Sequence, residues 1–508
     1  MSHRRFSINL VTNILNFGFN ILIGIWLTPY LIRHLGIGAY GLIPLATTVT
    51  TYLAIFTLAL NSAVGRFMTI ALEQNEHAEA NRIFNTSFWG SAGILILLLG
   101  PCIWLSLHAG WFFKVPTGSE NDFAWLFLTV IGVFFLTTLS SAFSITAFCR
   151  NRFDLSNWVN ILSAIVRVAI IVVLFSSGTP RVWHVGFALF IATGVTGIGA
   201  ILIWRYLTPT LEIKLSWFSR ASLRAMTGMG SWIVINTVGS ILYLSIDLLV
   251  INQMLGSDAT GKYGAVMTWS ALLRNFAGVI AGVFGPTIIT LYSRNDLSGL
   301  VQYSRQAIKF LGLVIAIPIG LICGLSKPLL LLWLGASFSY LAPLMSLMTF
   351  HLCVNLAILP LFNIQVATNR VRIPGIVTCV MGLMNLALAV ILVGTAGWGM
   401  YGVAAAGAIM LTAKNLVFTP VYAAKFLGLK WTSFYHETIP VIAFTMGLAI
   451  LGWLITGWLG ISSWFKLIAA GTILGTMSAV FIYAVILDRA ERSQLLRMLF
   501  PWRPVTNG

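Results

Sequence analysis

The chain has 508 residues, 58% of them hydrophobic and 8% charged, with a formal net charge of +17. Soluble domains carry about 25% charged residues, so a water-soluble fold and a large extramembrane catalytic domain are both excluded. Nucleic-acid binding needs a clustered basic face with reading elements; the sequence has neither, and no nucleic-acid partner is expected.

A helix needs about 20 apolar residues to cross the hydrocarbon core. Fourteen stretches qualify, at 8–32, 41–64, 84–107, 123–148, 158–177, 183–204, 229–253, 263–291, 307–326, 340–367, 373–394, 400–423, 438–459 and 464–487. The fold class is therefore an all-α polytopic membrane protein. The first run is too long for a signal peptide and lacks a small-residue cleavage site, so it reads as a retained helix. Pro343 and Pro360 interrupt the tenth span, and 329–334 reads as a stretch dipping into the interface. Alternate gaps, with the span ends that border them, hold 21 of the 30 Lys and Arg residues. Those gaps should face the cytoplasm, with both termini there. Most of the net charge then reflects topology and attraction to anionic membrane lipids.

Residues 30–41 read YLIRHLGIGAYG and residues 249–264 read LVINQMLGSDATGKYG. Both close a long helix on Leu-Gly, turn, and re-enter on Tyr-Gly: Leu35, Gly36, Tyr40 and Gly41 against Leu255, Gly256, Tyr263 and Gly264. Six spans separate them, an even number, so the halves share one orientation, as in parallel transporter repeats. The longest basic connector, 205–227, marks the seam. The expected organisation is a six-helix lobe at 1–207, a cytoplasmic linker at 208–228, a second pseudo-symmetric six-helix lobe at 229–423, two further helices at 424–487 and a cytoplasmic tail at 488–508.

Charges inside a membrane are costly and usually face a bundle interior or a water-filled cavity. Three basic residues lie deep within spans, away from their ends, Arg167, Arg274 and Lys414, with one acid, Asp247, and one deep histidine, His351. At 1.5 Å per residue, Arg167 lies about 15 Å from the start of its span and Arg274 about 16 Å from its own, near the midplane of each lobe. Lys414, about 21 Å along its span, falls nearer the cytoplasm, and Arg66 sits at the cytoplasmic mouth of the second span. Such a basic lining suits an anion, because guanidinium matches phosphate oxygens two at a time and stays charged when desolvated. The alternative for each is a hydrogen bond to helix carbonyls or a side chain reaching for the interface. Asp247 reads as the partner of Lys262, Arg274 or Arg33, or as a coupling-ion site. His351 reads as a packed, hydrogen-bonded histidine or as a proton relay.

Enzyme motifs are missing. GTAGWGMYG at 394–402 lies in a turn between spans with no strand before it, unlike a nucleotide loop. The cysteines Cys102, Cys149, Cys323, Cys353 and Cys379 show no paired spacing. No catalytic residue, metal or cofactor is expected.

The segment LIRHLGIGAYGL after the first span resembles the polysaccharide and O-antigen flippases, within the wider group that includes multidrug extruders and the lipid II flippase. LSIDLLVINQMLGSDATGKYGAV at 244–266 is similar to that family's start of the second lobe, and NLALAVILVGTAGWGMYGVAAAGAI at 385–409 to its helix 11–12 hairpin. The resemblance implies two lobes of six helices plus two extra helices. It also implies alternating-access transport of an undecaprenyl-diphosphate-linked oligosaccharide in the bacterial cytoplasmic (inner) membrane, beside polysaccharide polymerase and chain-length machinery. Arg167 and Arg274 would then clamp the diphosphate, with Arg66 and Lys414 at the entrance. The first lobe lacks the intramembrane acid of cation-coupled drug extruders, and the first helix lacks the Arg-rich signature of the lipid II flippase. A drug antiporter would rest on Asp247. A glycan polymerase or ligase would need a longer external loop than 107–122.

Overall fold

The computed structural model describes residues 3–368, 370–488 and 491–492; the side chains of 3, 4, 6, 7, 10, 58–63 and 228–233 lie outside that description. Most of the tail expected at 488–508 therefore lies outside the described residues. Fourteen helices among those described are long and apolar enough to cross a membrane, and the fold is all-α.

In chain order they are α1 (His3–Leu35), α2 (Ile37–Leu53 and Ile55–Glu73), α3 (His77–Leu107), α4 (Glu120–Cys149), α5 (Phe153–Ser177), α6 (Val182–Leu207) and α7 (Arg220–Leu244 and Asp247–Leu255). Then follow α8 (Ser257–Ser293), α9 (Leu297–Gly324), α10 (Ala342–Phe350, Leu352–Ala357 and Leu359–Ala367) and α11 (Arg372–Gly394). The last three are α12 (Gly399–Thr412, a π-helical segment Ala413–Phe418, and Thr419–Phe426), α13 (Thr438–Leu459) and α14 (Trp464–Phe481, ending in a π-helical Ile482–Ile486). The stretch read as interfacial is a short helix, Ser326–Leu334.

The chain packs as two units, Met1–Ala265 with Gly375–Val403, and Val266–Pro374 with Ala404–Gly508. In the first unit, α3, α4 and α6 enclose an aromatic core. Phe84 stacks on Trp204 at 5.5 Å, and Phe143 meets both rings edge-on at 5.7 and 5.2 Å. In the second unit α10 is central, with 72% of its span buried against 17% for α1 of the first unit. The α9 helix packs on α10 and α13 there.

The repeat is visible in the backbone. Gly36 (φ 81°, ψ 162°) and Gly256 (φ 88°, ψ −178°) end α1 and α7 in a region open essentially to glycine alone. Asn75 (φ 58°) and Asn295 (φ 56°) make the turns after α2 and α8. Both pairs are 220 residues apart, as are the starts of α2 and α8 and the starts of α3 and α9. Within the first unit, residues 220 apart also meet. A Cβ on Gly41 would lie 2.5 Å from the Gly261 nitrogen, and one on Gly264 would lie 3.0 Å from Pro44. The structural register therefore sets Gly41 against Gly261, three residues before the Gly264 that the Tyr-Gly match selects. The two tyrosines occupy non-equivalent positions, because both turns are one glycine long and Tyr263 lies three residues further into its helix than Tyr40 does.

The connector after α6 is a strap. Asn81 and Asn85, one turn apart on α3, are both buried. The Asn81 amide donates to Thr210 O (3.1 Å) and accepts from Glu212 N (2.8 Å). The Asn85 amide donates to Glu212 O (2.7 Å) and accepts from Lys214 N (2.9 Å). Alternate residues of an extended segment are thus held along one helix face, which satisfies backbone groups that would otherwise be orphaned.

Candidate functional site

Arg66, Arg167 and Asp247 lie on three helices of the first unit, α2, α5 and α7; Arg274, His351 and Lys414 lie on α8, α10 and α12 of the second.

In the first unit, Arg66 is exposed. Arg167 is half-buried, and its Nε is buried with no hydrogen-bond partner among the described residues. A guanidinium donor left unfilled inside a membrane helix is costly, and an anion would relieve that cost. Asp247 opens the second half of α7, after a break at Ser245 and Ile246. One partner of Asp247 is Tyr263, whose hydroxyl donates to Asp247 Oδ2 at 2.6 Å. Tyr263 is almost fully buried on α8, so the pair ties the end of α7 to the start of α8.

In the second unit, His351 sits at a break in α10, and its Nδ1 lies 2.9 Å from the Asn355 amide nitrogen. Asn355 also donates to Thr412 Oγ1 at 3.0 Å, which joins α10 to α12 where the π-helical segment begins. That segment displays Lys414, buried, with Nζ 5.0 Å from the Phe362 ring centroid. Ammonium over an aromatic face is attractive, most of all when desolvated. The extra residue of a π-helical turn re-aims side chains, and such turns recur at functional sites. Arg274 is close enough to His351 for the two to interact electrostatically. In the second unit Asn355 thus links His351 to Thr412, two residues before Lys414 on α12.

Sequence reasoning missed Asn355, Thr412 and Phe362. Carboxamides within spans were the available signal, because a buried amide must find partners as a charge must. A groove of about 560 Å³ also runs between α13 and α14, lined by apolar side chains including Phe444, Leu451, Met477 and Phe481. It suits a hydrocarbon chain.

The family described as "Polysaccharide biosynthesis protein" matches residues 5–291. The "Uncharacterized membrane protein EpsK" of Bacillus subtilis (strain 168) is 32% identical over 497 residues, 97% of this chain and 98% of that protein. Among solved structures, the lipid II flippase MurJ in an inward closed conformation superposes with a TM-score of 0.66 at 14% identity, covering 95% of this chain and 100% of MurJ. An inward-facing MATE-family multidrug transporter of the MOP superfamily superposes with a TM-score of 0.56 at 14% identity, covering 86% and 98%. At those identities the likeness is one of fold. The chain belongs to the polysaccharide biosynthesis protein family, and it carries the two-lobed membrane fold of the MurJ and MATE transporters.

Proposed function

We propose that the protein is a flippase. It moves an undecaprenyl-diphosphate-linked oligosaccharide across the bacterial cytoplasmic membrane by alternating access, for O-antigen, capsule or exopolysaccharide assembly. The observation that carries this reading is the presence of membrane-embedded cations in both units of a transporter fold, in a family of polysaccharide biosynthesis. Arg167 of the first unit and Arg274 of the second bind the diphosphate, and Arg66 and Lys414 draw it in from the cytoplasmic side. Charge-assisted, two-pronged bonds to phosphate suit arginine in these roles. The α13–α14 groove holds lipid hydrocarbon. The Lys and Arg bias sets both termini in the cytoplasm and the Gly36 and Gly256 turns outside. The exported unit then passes to polymerase and chain-length machinery. Asp247 and His351 act by holding helices: one is bonded to Tyr263, the other to Asn355.

The test is Arg274→Ala. Each hydrogen bond from a charged group is worth about 1.5–3 kcal/mol, so glycan export should fall about 10- to 100-fold with abundance and membrane insertion unchanged. Wild-type export at equal abundance would remove Arg274 from the binding site. Unchanged glycan with altered sensitivity to cationic compounds would favour a drug antiporter instead.

A further inference from the structure

The α1 helix carries asparagine at 9, 13, 16 and 20. At 100° per residue these four fall within about 60° of one another. The exposed apolar residues of the helix, Val11, Ile14, Leu15, Leu22 and Trp26, centre about 160° away, on the opposite side. That opposite side is the one that meets lipid. The same division holds on α5. Trp158, Leu162, Ile165 and Val173 are exposed, whereas Asn160 and Arg167 lie about 20° apart on the far side.

The two helices are joined along these polar faces within the first unit. Asn157 donates to Asn13 Oδ1 at 2.9 Å and to Thr12 Oγ1 at 3.2 Å. Asn9 accepts from Asp154 N at 3.1 Å and donates to Asn151 O at 3.0 Å. Asn16 reaches Asn157 Oδ1 at 3.4 Å, and Asn20 donates to Asn16 Oδ1 at 2.9 Å. Packing between the helices does not consume the whole row. Asn13, Asn20 and Asn160 remain exposed, away from the lipid side and inside membrane-spanning helices. An exposed carboxamide facing hydrocarbon would be costly, so this face meets water or a polar ligand.

We propose that this carboxamide face is the surface on which the glycan part of the substrate rides, a subsite for the hydroxyl and amide groups of an uncharged sugar chain. The inference rests on the flippase reading. Sugar hydroxyls both donate and accept, as carboxamides do. Each such bond is worth about 0.5–1.5 kcal/mol net, enough to guide a glycan and weak enough to release it. The row from Asn9 to Asn20 spans about 16 Å of helix. Asn160 and Arg167, two turns apart on one face of α5, continue it, so the sugar lies along the row while the diphosphate lies at Arg167.

The full-length protein in nanodiscs tests this with single variants Asn13→Cys, Asn20→Cys and Asn160→Cys, and Leu22→Cys as the lipid-side control. Labelling by a membrane-impermeant maleimide is read above the wild-type background. The first three should label and Leu22→Cys should not. Lipid-linked oligosaccharide extracted from the host should slow labelling by about 5-fold, the effect of a bond of this class, and undecaprenyl diphosphate without sugar should not. In parallel, Asn20→Leu and Asn160→Leu should each weaken binding of the glycan-bearing lipid by about 2- to 10-fold. Absence of labelling would place the face against hydrocarbon and overturn the proposal. Equal protection by the sugar-free carrier, or none by either, would also overturn it. If deleting the gene still blocks surface glycan, only the sugar subsite fails; if deletion leaves glycan export intact, the flippase reading fails with it.

Discussion

The Asp247–Tyr263 pair shows what sequence could and could not say about single residues. Ionisable residues in a chain with 8% charge stand out by rarity alone, and Asp247, His351, Arg167, Arg274 and Lys414 were legible for that reason. Their partners were not. Tyrosine, threonine and phenylalanine are unremarkable in a membrane span, asparagine stands out there without naming its partner, and sequence does not fix how a helix is rotated in a fourteen-helix bundle. The partners nevertheless decide the role of the charge. Removing the Tyr263 hydroxyl strips a 2.6 Å bond from a carboxylate next to a helix break. Tyr263→Phe should therefore cost about 1–3 kcal/mol, read as a lower unfolding midpoint in detergent. If the midpoint does not move, Asp247 does not brace α7 on α8 through this bond. The same reasoning applies to Lys414, which lies over Phe362 on a π-helical segment; Pro420, two residues beyond it, flags a disturbed helix without saying which side chain the disturbance re-aims.

At the scale of elements, hydrophobic length located the spans well. The stretches read at 123–148 and 438–459 are the helices Glu120–Cys149 and Thr438–Leu459. Interruptions were less legible. Pro360 marks the second break of α10, but the breaks at Ala54, at Ser245 and Ile246 and at His351 carry no such flag. Turns were legible where glycine is required. Gly36→Ala should cost about 1–3 kcal/mol, because a side chain is strained at that φ and ψ; thermal unfolding of the purified variant measures it, and a neutral result would mean that the turn relaxes. The cap of α9 adds a pH dependence. Gly299 N donates to the Asp296 carboxylate at 2.8 Å and Ser298 donates at 2.9 Å, which holds its pKa below the usual carboxylate value. A group with a depressed folded pKa stabilises above its unfolded pKa, and that contribution is lost as pH falls through the folded value. Asp296→Ala should thus be less stable than wild type at neutral pH, with the gap closing in acid. A gap that stays constant with pH would mean that the charge of the cap is idle.

For the whole molecule, the duplicated architecture follows from one turn used twice. Gly36 and Gly256 share a backbone conformation, and helix boundaries recur at a spacing of 220 residues on either side of them. Sequence showed the copies because glycine and leucine are fixed by the turn. It missed their register because Tyr40 and Tyr263, which suggested the alignment, answer to different neighbours. Function follows the same hierarchy. The chain is a member of a polysaccharide biosynthesis family with the fold of the MurJ and MATE transporters, and the flippase reading adds the activity and the cargo. The most direct test is to delete the gene in its host and measure lipid-linked oligosaccharide in each leaflet together with surface glycan. The account predicts precursor trapped on the cytoplasmic leaflet and a loss of surface polymer, both restored by the wild-type gene. Precursor reaching the outer leaflet at its normal level, with surface glycan intact, would contradict it.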